Sequence, residues 1–303
     1  MERLEEYEIL KQKLTDYIKT QDFLHLARAL SIVENSQDSY ELLEKLCSEF
    51  EEKEAKVIGF TGSPGAGKSS LISALIDKYA QKYGKVAVIA VDPSSPFSGG
   101  AILGDRVRMI KHSLNKKVFI RSVATRGYLG GLSSAVHDMI TVLKIAGFKR
   151  ILIETVGVGQ SEIDVVEIAD IVCLVLTPSA GDDIQAMKAG IMEIADVIVV
   201  NKADLGAERV LVALKNFMEV EEVNIPVVTT VALENKGIEE LFNILEEAQS
   251  RIKPSDKKLL RLKHAIRSIL EKRVEGVVEK LRSEANFENK NFYSILNNLK
   301  GVI

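Results

Sequence analysis

Residues 57–70 read VIGFTGSPGAGKSS. The first five are apolar or β-branched and predict a strand. Gly62-Ser-Pro-Gly-Ala-Gly-Lys68-Ser69 then matches G-x-x-x-x-G-K-[ST], and SSLISALIDKY takes up a helical pattern at once. Glycines let the backbone curl so that successive N–H groups point inward and form an anion nest. The helix N-terminus adds its positive dipole end. Lys68 is then placed to reach β- and γ-phosphates, and the Ser69 hydroxyl to ligate Mg²⁺. Gly62, Ser63, Pro64, Gly65, Ala66 and Gly67, with Lys68, Ser69 and Ser70, are the candidate phosphate-binding residues. A Gly-rich tight turn is the plainer alternative, and the flanking strand and helix argue against it.

Working outward, continuously apolar runs recur at 57–62, 86–91, 118–122, 151–155, 171–177, 197–200 and 227–231. Such runs suit strands covered on both faces. They alternate with helical segments, which predicts a mostly parallel central sheet flanked by helices. The expected fold class is α/β, a P-loop NTPase with N-terminal and C-terminal helical extensions. Residues 1–53 read as helices, with no Pro or Gly before Gly59 and a third helix opening at Ser39. Residues 54–250 form the nucleotide domain. Residues 251–303 begin at a Lys253-Pro254-Ser255 break. Leu259, Leu262, Ile266, Ile269, Val274, Val277 and Leu281 then predict a helix of roughly 25 residues. A shorter helix is expected near 292–299.

Ligands on such a sheet bind at the carboxyl ends of the strands. There, Asn201-Lys202-Ala203-Asp204 follows VIVV and resembles the N-K-x-D motif of GTPases. An ionised Asp is acceptor-only. Guanine offers two adjacent donors, where adenine offers an acceptor and no amine. Asp204 therefore selects GTP and leaves a buried charge unpaired with ATP. Asn201 would hold neighbouring loops and Lys202 would cover the base. Val231-Ala232-Leu233 resembles the S-A-L/K loop whose backbone N–H meets the guanine oxygen, with Val in place of the usual Ser. Asn201 as a simple helix cap is the alternative.

Two further strand ends carry carboxylates. Mg²⁺ prefers hard oxygen ligands in octahedral geometry. Glu154, in ILIETVG, stands where the D-x-x-G motif of most GTPases has Asp, and reaches the ion directly or through water. Asp92 and Asp105 are further metal or water-positioning candidates. Asp92 is also a natural turn-former before Pro93, and Asp105 a natural solvated helix residue. Gly157 could donate its N–H to the γ-phosphate and sense its loss. Gln160 invites comparison with a water-orienting Gln, capping being the plainer role. None of Arg106, Arg108 and Arg126 stands out as an arginine finger, which leaves a partner as the other source.

The 303 residues carry a net charge of −3 and no Trp, which disfavours nucleic acid as a partner. Cys47 and Cys173 lie far apart, as suits a reducing, cytoplasmic setting. The N-terminus lacks the apolar core of a secretory signal, and no run reaches membrane-span length. His25, His112, His137 and His264 are scattered, with no Cys/His tract for a soft metal.

In order along the chain, GFTGSPGAGKSSL, VDPSSPFSGGAILGDRVRM, ATRGYLGGLS, IETVGVGQSE and NKADL resemble the MeaB/ArgK/MMAA family of GTPases. These are G-protein chaperones of adenosylcobalamin-dependent methylmalonyl-CoA mutase. The resemblance covers roughly residues 1–300, and the DPSSP…GGAILGDR block is its most specific part. It implies that Lys68 and Ser69 hold phosphate and Mg²⁺, that Asp92, Asp105 and Glu154 line the metal site, and that Asn201, Lys202 and Asp204 read guanine. It also implies a switch facing the mutase, with Asp182, Gln185 and Lys188, where the bare sequence reads as an ordinary connection. The long C-terminal helix would be a homodimer arm, or pack on its own domain. The implied role is slow GTP hydrolysis that gates loading and release of the mutase's cofactor. No Asp-x-His-x-x-Gly cobalamin motif is present. A metallochaperone that delivers a metal ion, and a small-molecule kinase, are the alternatives. An arginine or ornithine transport label attached to the family finds no support in these residues.

Overall fold

The seven apolar runs become the seven strands of one sheet. The structure, a computed structural model, describes residues 2–36, 39–92, 110–112, 114–124, 134–155, 157, 161–178 and 191–283. Three helices, α1 (Glu2–Thr20), α2 (Phe23–Asn35) and α3 (Ser39–Glu49), precede β1 (Lys56–Thr61). Then come α4 (Lys68–Tyr83), β2 (Val86–Asp92), a 3-10 turn (Ile110–His112), β3 (Val118–Ala124), α5 (Ser134–Ile145) and β4 (Arg150–Glu154). The chain continues through α6 (Ser161–Ile168), β5 (Ile171–Leu176), α7 (Ile191–Ile194), β6 (Val197–Asn201) and a second 3-10 turn (Ala203–Leu205). It ends with α8 (Glu208–Val220), β7 (Val227–Thr230), a third 3-10 turn (Ala232–Glu234), α9 (Ile238–Glu247) and α10 (Pro254–Ser283). The helix expected near 292–299 lies outside the described residues.

The strand order is β3-β2-β4-β1-β5-β6-β7, and every described pair is parallel. Side chains alternate across each strand. Val57, Ile89, Ile151 and Val172 enter one core together with Leu10, Leu14, Tyr17, Leu26, Leu30 and Leu46 of the N-terminal helices. Ile58, Phe60, Val88, Leu152 and Cys173 enter the opposite core, under α4 and α9. The N-terminal helices thus share the hydrophobic core of the sheet. Each of their fully buried Leu side chains contributes about 1.5–3 kcal/mol. Tyr17, Phe23 and Phe148 stack where the two meet, with Phe119 edge-on to Phe23 and tilted against Phe148.

The amino-terminal edge of the sheet is closed by charged side chains. Lys56 Nζ donates to the carbonyls of Leu245, Glu246 and Ala248, at the end of α9, where a cation suits the helix dipole. Asp170 accepts from the Val57 N–H at 2.8 Å. Asp196 accepts from Val172 and Arg251 N–H groups at 2.9 and 2.6 Å. Lys257 Nζ donates to the carbonyls of Ala169 and Asp170, each at 2.8 Å. Glu246 takes Arg150, Lys82 and Tyr83 together.

Two compact units divide the chain, Met1–Lys257 and Lys258–Ile303. Helix α10 has 30 residues, with Pro254 at its first position, where a missing N–H costs nothing. Leu259, Leu262, Ile266, Ile269, Leu270, Val274 and Val278 are exposed along it. No helix among the described residues is long and apolar enough to cross a membrane.

Candidate nucleotide site

The quoted loop leaves β1 and enters α4 as expected. Gly67 caps α4 in the left-handed region, with φ 94°. A Cβ there would lie 2.2 Å from Asn201 Nδ2, so only glycine lets the loop meet β6. Lys68 is buried and donates to the carbonyls of Gly62 and Ser63 at 2.6 and 3.2 Å. Its ammonium is thereby held against the start of the loop that precedes it. Gly157, with φ 86°, sits so close that a Cβ would lie 2.4 Å from Gly62 O and 2.6 Å from Lys68 Nζ. The third residue past β4 therefore lies against the phosphate loop.

Register explains where the carboxylates point. Glu154 pairs with Phe60 on one side and Ala90 on the other. Paired residues share a face, and Phe60 packs under α4. Asp92 lies two residues past Ala90 and so faces the same way. Ser69, at the start of α4, donates to Glu154 Oε1 at 2.5 Å. Ser69, Asp92 and Glu154 are all buried, at 3%, 1% and 3% exposure, which is dry ground for two carboxylates. A hydroxyl can donate its proton to Glu154 while its lone pairs face a cation. This set of hard oxygens fits Mg²⁺ and is unsuited to a soft metal. Thr155, next after Glu154, ties back to Phe60 O through both its N–H and its hydroxyl, at 3.1 and 3.2 Å.

On the base side, Asn201 is a buried junction. Its Nδ2 donates to Ala66 O at 2.9 Å, and its Oδ1 accepts from Thr230 Oγ1 at 3.0 Å and Ala232 N at 3.2 Å. One amide thus joins the phosphate loop, β6, β7 and the turn after β7. Lys202 follows in the left-handed region at φ 56°, half-buried, and Asp204 is exposed in the next 3-10 turn. The N–H groups of Val231 and Ala232 are engaged by Lys236 O and Asn201 Oδ1. Leu233 is almost fully exposed at 88%.

The structure brings together the phosphate loop, Lys68, Ser69, Asp92, Glu154, Gly157 and Asn201 at one sheet edge. Asp105, Arg106, Arg108, Arg126, Gln160, Asp182, Gln185 and Lys188 lie outside the described residues. Thr230 was not singled out from the sequence. Its signal was a hydroxyl at the end of a short strand that reads VVTT, level with Asn201 in register.

A parallel sheet with a strand–glycine loop–helix phosphate cradle, buried carboxylates at the neighbouring strand ends and an N-K-x-D turn defines a P-loop GTPase, which hydrolyses GTP. Residues 26–286 match the family described as "Methylmalonyl Co-A mutase-associated GTPase MeaB", and the chain belongs to it. Among its relatives is a Pyrococcus abyssi protein named as a candidate GTPase, 44% identical over 290 residues, covering 91% of this chain and 89% of the relative. GTPase ArgK of Escherichia coli is 36% identical over 242 residues, 76% of this chain and 73% of ArgK. The Caenorhabditis elegans "Methylmalonic aciduria type A homolog, mitochondrial" is 40% identical over 207 residues, 64% of this chain and 52% of that protein. The fold is also that of a solved structure titled as an LAO/AO transport system kinase, with TM-score 0.61 at 24% identity, covering 96% of this chain and 92% of that one.

Proposed function

We propose that this GTPase is a chaperone of an adenosylcobalamin-dependent acyl-CoA mutase, with methylmalonyl-CoA mutase as the partner. GTP binding and hydrolysis would gate loading, protection or reactivation of the mutase's cofactor. The supporting observation is the match of residues 26–286 to a mutase-associated GTPase family. Mg²⁺ is the ion this reading requires, held by Ser69 with Asp92 and Glu154, and Asp105 assigned alongside them. When bound with GTP, it neutralises charge on the phosphoryl oxygens. Lys68 binds the phosphates, Gly157 senses the terminal one, and Asp204 reads the guanine edge. Asp182, Gln185 and Lys188 form the switch towards the mutase. A homodimer joined through residues 251–303 accounts for the apolar residues along α10. A cytoplasmic setting goes with this reading.

The test is direct binding of the purified protein to methylmalonyl-CoA mutase in the presence of GDP or a non-hydrolysable GTP analogue. Expected are nucleotide-dependent affinity and faster GTP turnover on addition of mutase. No binding and no change in turnover would remove the partner while leaving the GTPase standing. Sedimentation equilibrium of the full chain reads the dimer, and a monomer at all concentrations ends that part.

A further inference from the structure

His112 belongs to none of the phosphate, metal or base groups, yet only 3% of it is exposed. Its Nε2 lies 3.0 Å from Ser73 Oγ and 3.1 Å from Ser73 O. Its Nδ1 lies 3.4 Å from Asp77 Oδ1. Both partners are on α4. Ser69, Ser73 and Asp77 recur every four residues, so they run down one face of that helix with Ser69 at the phosphate end.

Both ring nitrogens face acceptors, and the nearer, buried one sets the tautomer: the Ser73 carbonyl lies 3.1 Å from Nε2, while the Asp77 carboxylate stands 3.4 Å from Nδ1 and is mostly in solvent, so the hydrogen is assigned to Nε2. Burial, opposed by Asp77, holds the imidazole below its ordinary pKa, and Lys111 pushes the same way as burial. The neutral ring therefore meets Ser73 at neutral pH. From Nε2 His112 donates towards both oxygens of Ser73, its carbonyl and its hydroxyl, and so holds that residue one turn along α4 from Ser69. The backbone of His112 is tied in turn to the start of β3, since His112 O accepts from Asn115 N at 3.0 Å and Asn115 O from Val118 N at 2.9 Å.

We propose that His112 is a positioning residue for the metal site: it fixes the second turn of α4 against the β3 end of the sheet, so that Ser69 is held on Glu154 with its lone pairs directed to Mg²⁺. The inference rests on the reading of Ser69 as a Mg²⁺ ligand. It requires that His112 act on Mg²⁺ affinity and leave the guanine and phosphate contacts alone.

The experiment measures affinity for a fluorescent GDP analogue as Mg²⁺ is titrated from EDTA, together with the Mg²⁺ dependence of turnover. His112→Phe keeps a ring and loses the donor. His112→Gln places an amide nitrogen near the position of Nε2, and His112→Asn stops at that of Nδ1. Loss of one buried hydrogen bond predicts a Mg²⁺ half-saturation raised about tenfold in H112F and H112N. H112Q should stay within about threefold of the parent by the same reasoning. All three should bind GDP in EDTA as the parent does. Equal half-saturation in H112Q and H112N overturns the proposal, and this pair serves even where H112F does not fold. Equal losses with and without Mg²⁺ also overturn it, since that is what a merely structural residue gives. Ser69→Ala separates the two failures: if its GDP affinity still responds fully to Mg²⁺, the reading of Ser69 is at fault.

Discussion

The two edges of the sheet use similar residues for opposite ends. At the amino edge, Glu246 is surrounded by Arg150, Lys82 and Tyr83, while Asp170, Asp196, Lys56 and Lys257 all close on backbone groups. These charges finish strands and helix ends, and their partners belong to the chain. At the carboxyl edge, Lys68, Ser69, Asp92 and Glu154 are buried just as deeply, but they converge around a glycine loop shaped for an anion. The difference teaches that burial of charge alone does not mark a site. What marks it is a cation, hard oxygens and backbone donors gathered at one strand end, where a ligand completes them. Substitutions should therefore split cleanly: stability at one edge, chemistry at the other.

The largest expected effect is at the carboxyl edge. Lys68→Ala should lower GTP turnover about 10²–10³-fold, the usual loss for one charge-stabilising donor in a site. A Lys68→Ala protein that turns over GTP normally would break the comparison at its strongest point. Next is the amino edge. Glu246→Gln leaves Arg150 short of its carboxylate and should cost about 3 kcal/mol. For a chain of this size that is a drop of about 6–12 °C in melting temperature. Turnover at saturating GTP below the melting range should stay at the parent level. A Glu246→Gln protein that melts normally yet turns over slowly would reverse the assignment of the two edges.

Much of the carboxyl edge could be read from the sequence because its physics is local. A strand, six residues of loop and a helix start are contiguous, and so are Asn201 to Asp204. The strands were readable because both faces are covered, which leaves unbroken apolar runs. The N-terminal helices were readable as helices, but amphipathicity does not name the surface that a helix covers, and their place in the core of the sheet emerged only from the fold. The junction at Asn201 joins Ala66, Thr230 and Ala232, which are far apart in sequence. No local pattern encodes that. The same holds for Lys56 and the end of α9, 189 to 192 residues away. Helix α10 runs to 30 residues where about 25 were expected, because it starts at Pro254, ahead of the first stripe residue Leu259, and ends at Ser283, just past the last, Leu281.

A smaller and more selective effect is expected on the base side, where the carboxyl edge reaches solvent. Asp204→Asn should weaken GDP binding about 10²-fold by loss of a charged hydrogen-bond partner, and bring ATP and GTP analogues closer in affinity. Asp204 is exposed, so the melting temperature should stay within about 1–2 °C. Competitive titration with guanine and adenine nucleotides measures the first, and thermal melting the second. Unchanged guanine preference would remove Asp204 from the site.

The smallest effect near neutral pH comes from titration of Glu246. Burial pushes its carboxyl up, but hydrogen bonds from Arg150, Lys82 and Tyr83 outweigh burial and hold it down at about 2, from an ordinary value of 4.5. A depressed carboxylate stabilises the fold fully above its unfolded pKa, and that contribution is lost as pH falls towards the folded value. Stability from this group should therefore be flat from pH 8 to about 5.5 and decline between about 4.5 and 2. Glu246→Gln, already less stable, should show a shallower decline over the same window. Denaturant unfolding of both proteins across that range measures the difference in slope. Parallel curves would mean that the Glu246 cluster contributes geometry without charge. The amino edge would then resemble the carboxyl edge less than their shared residue types suggest.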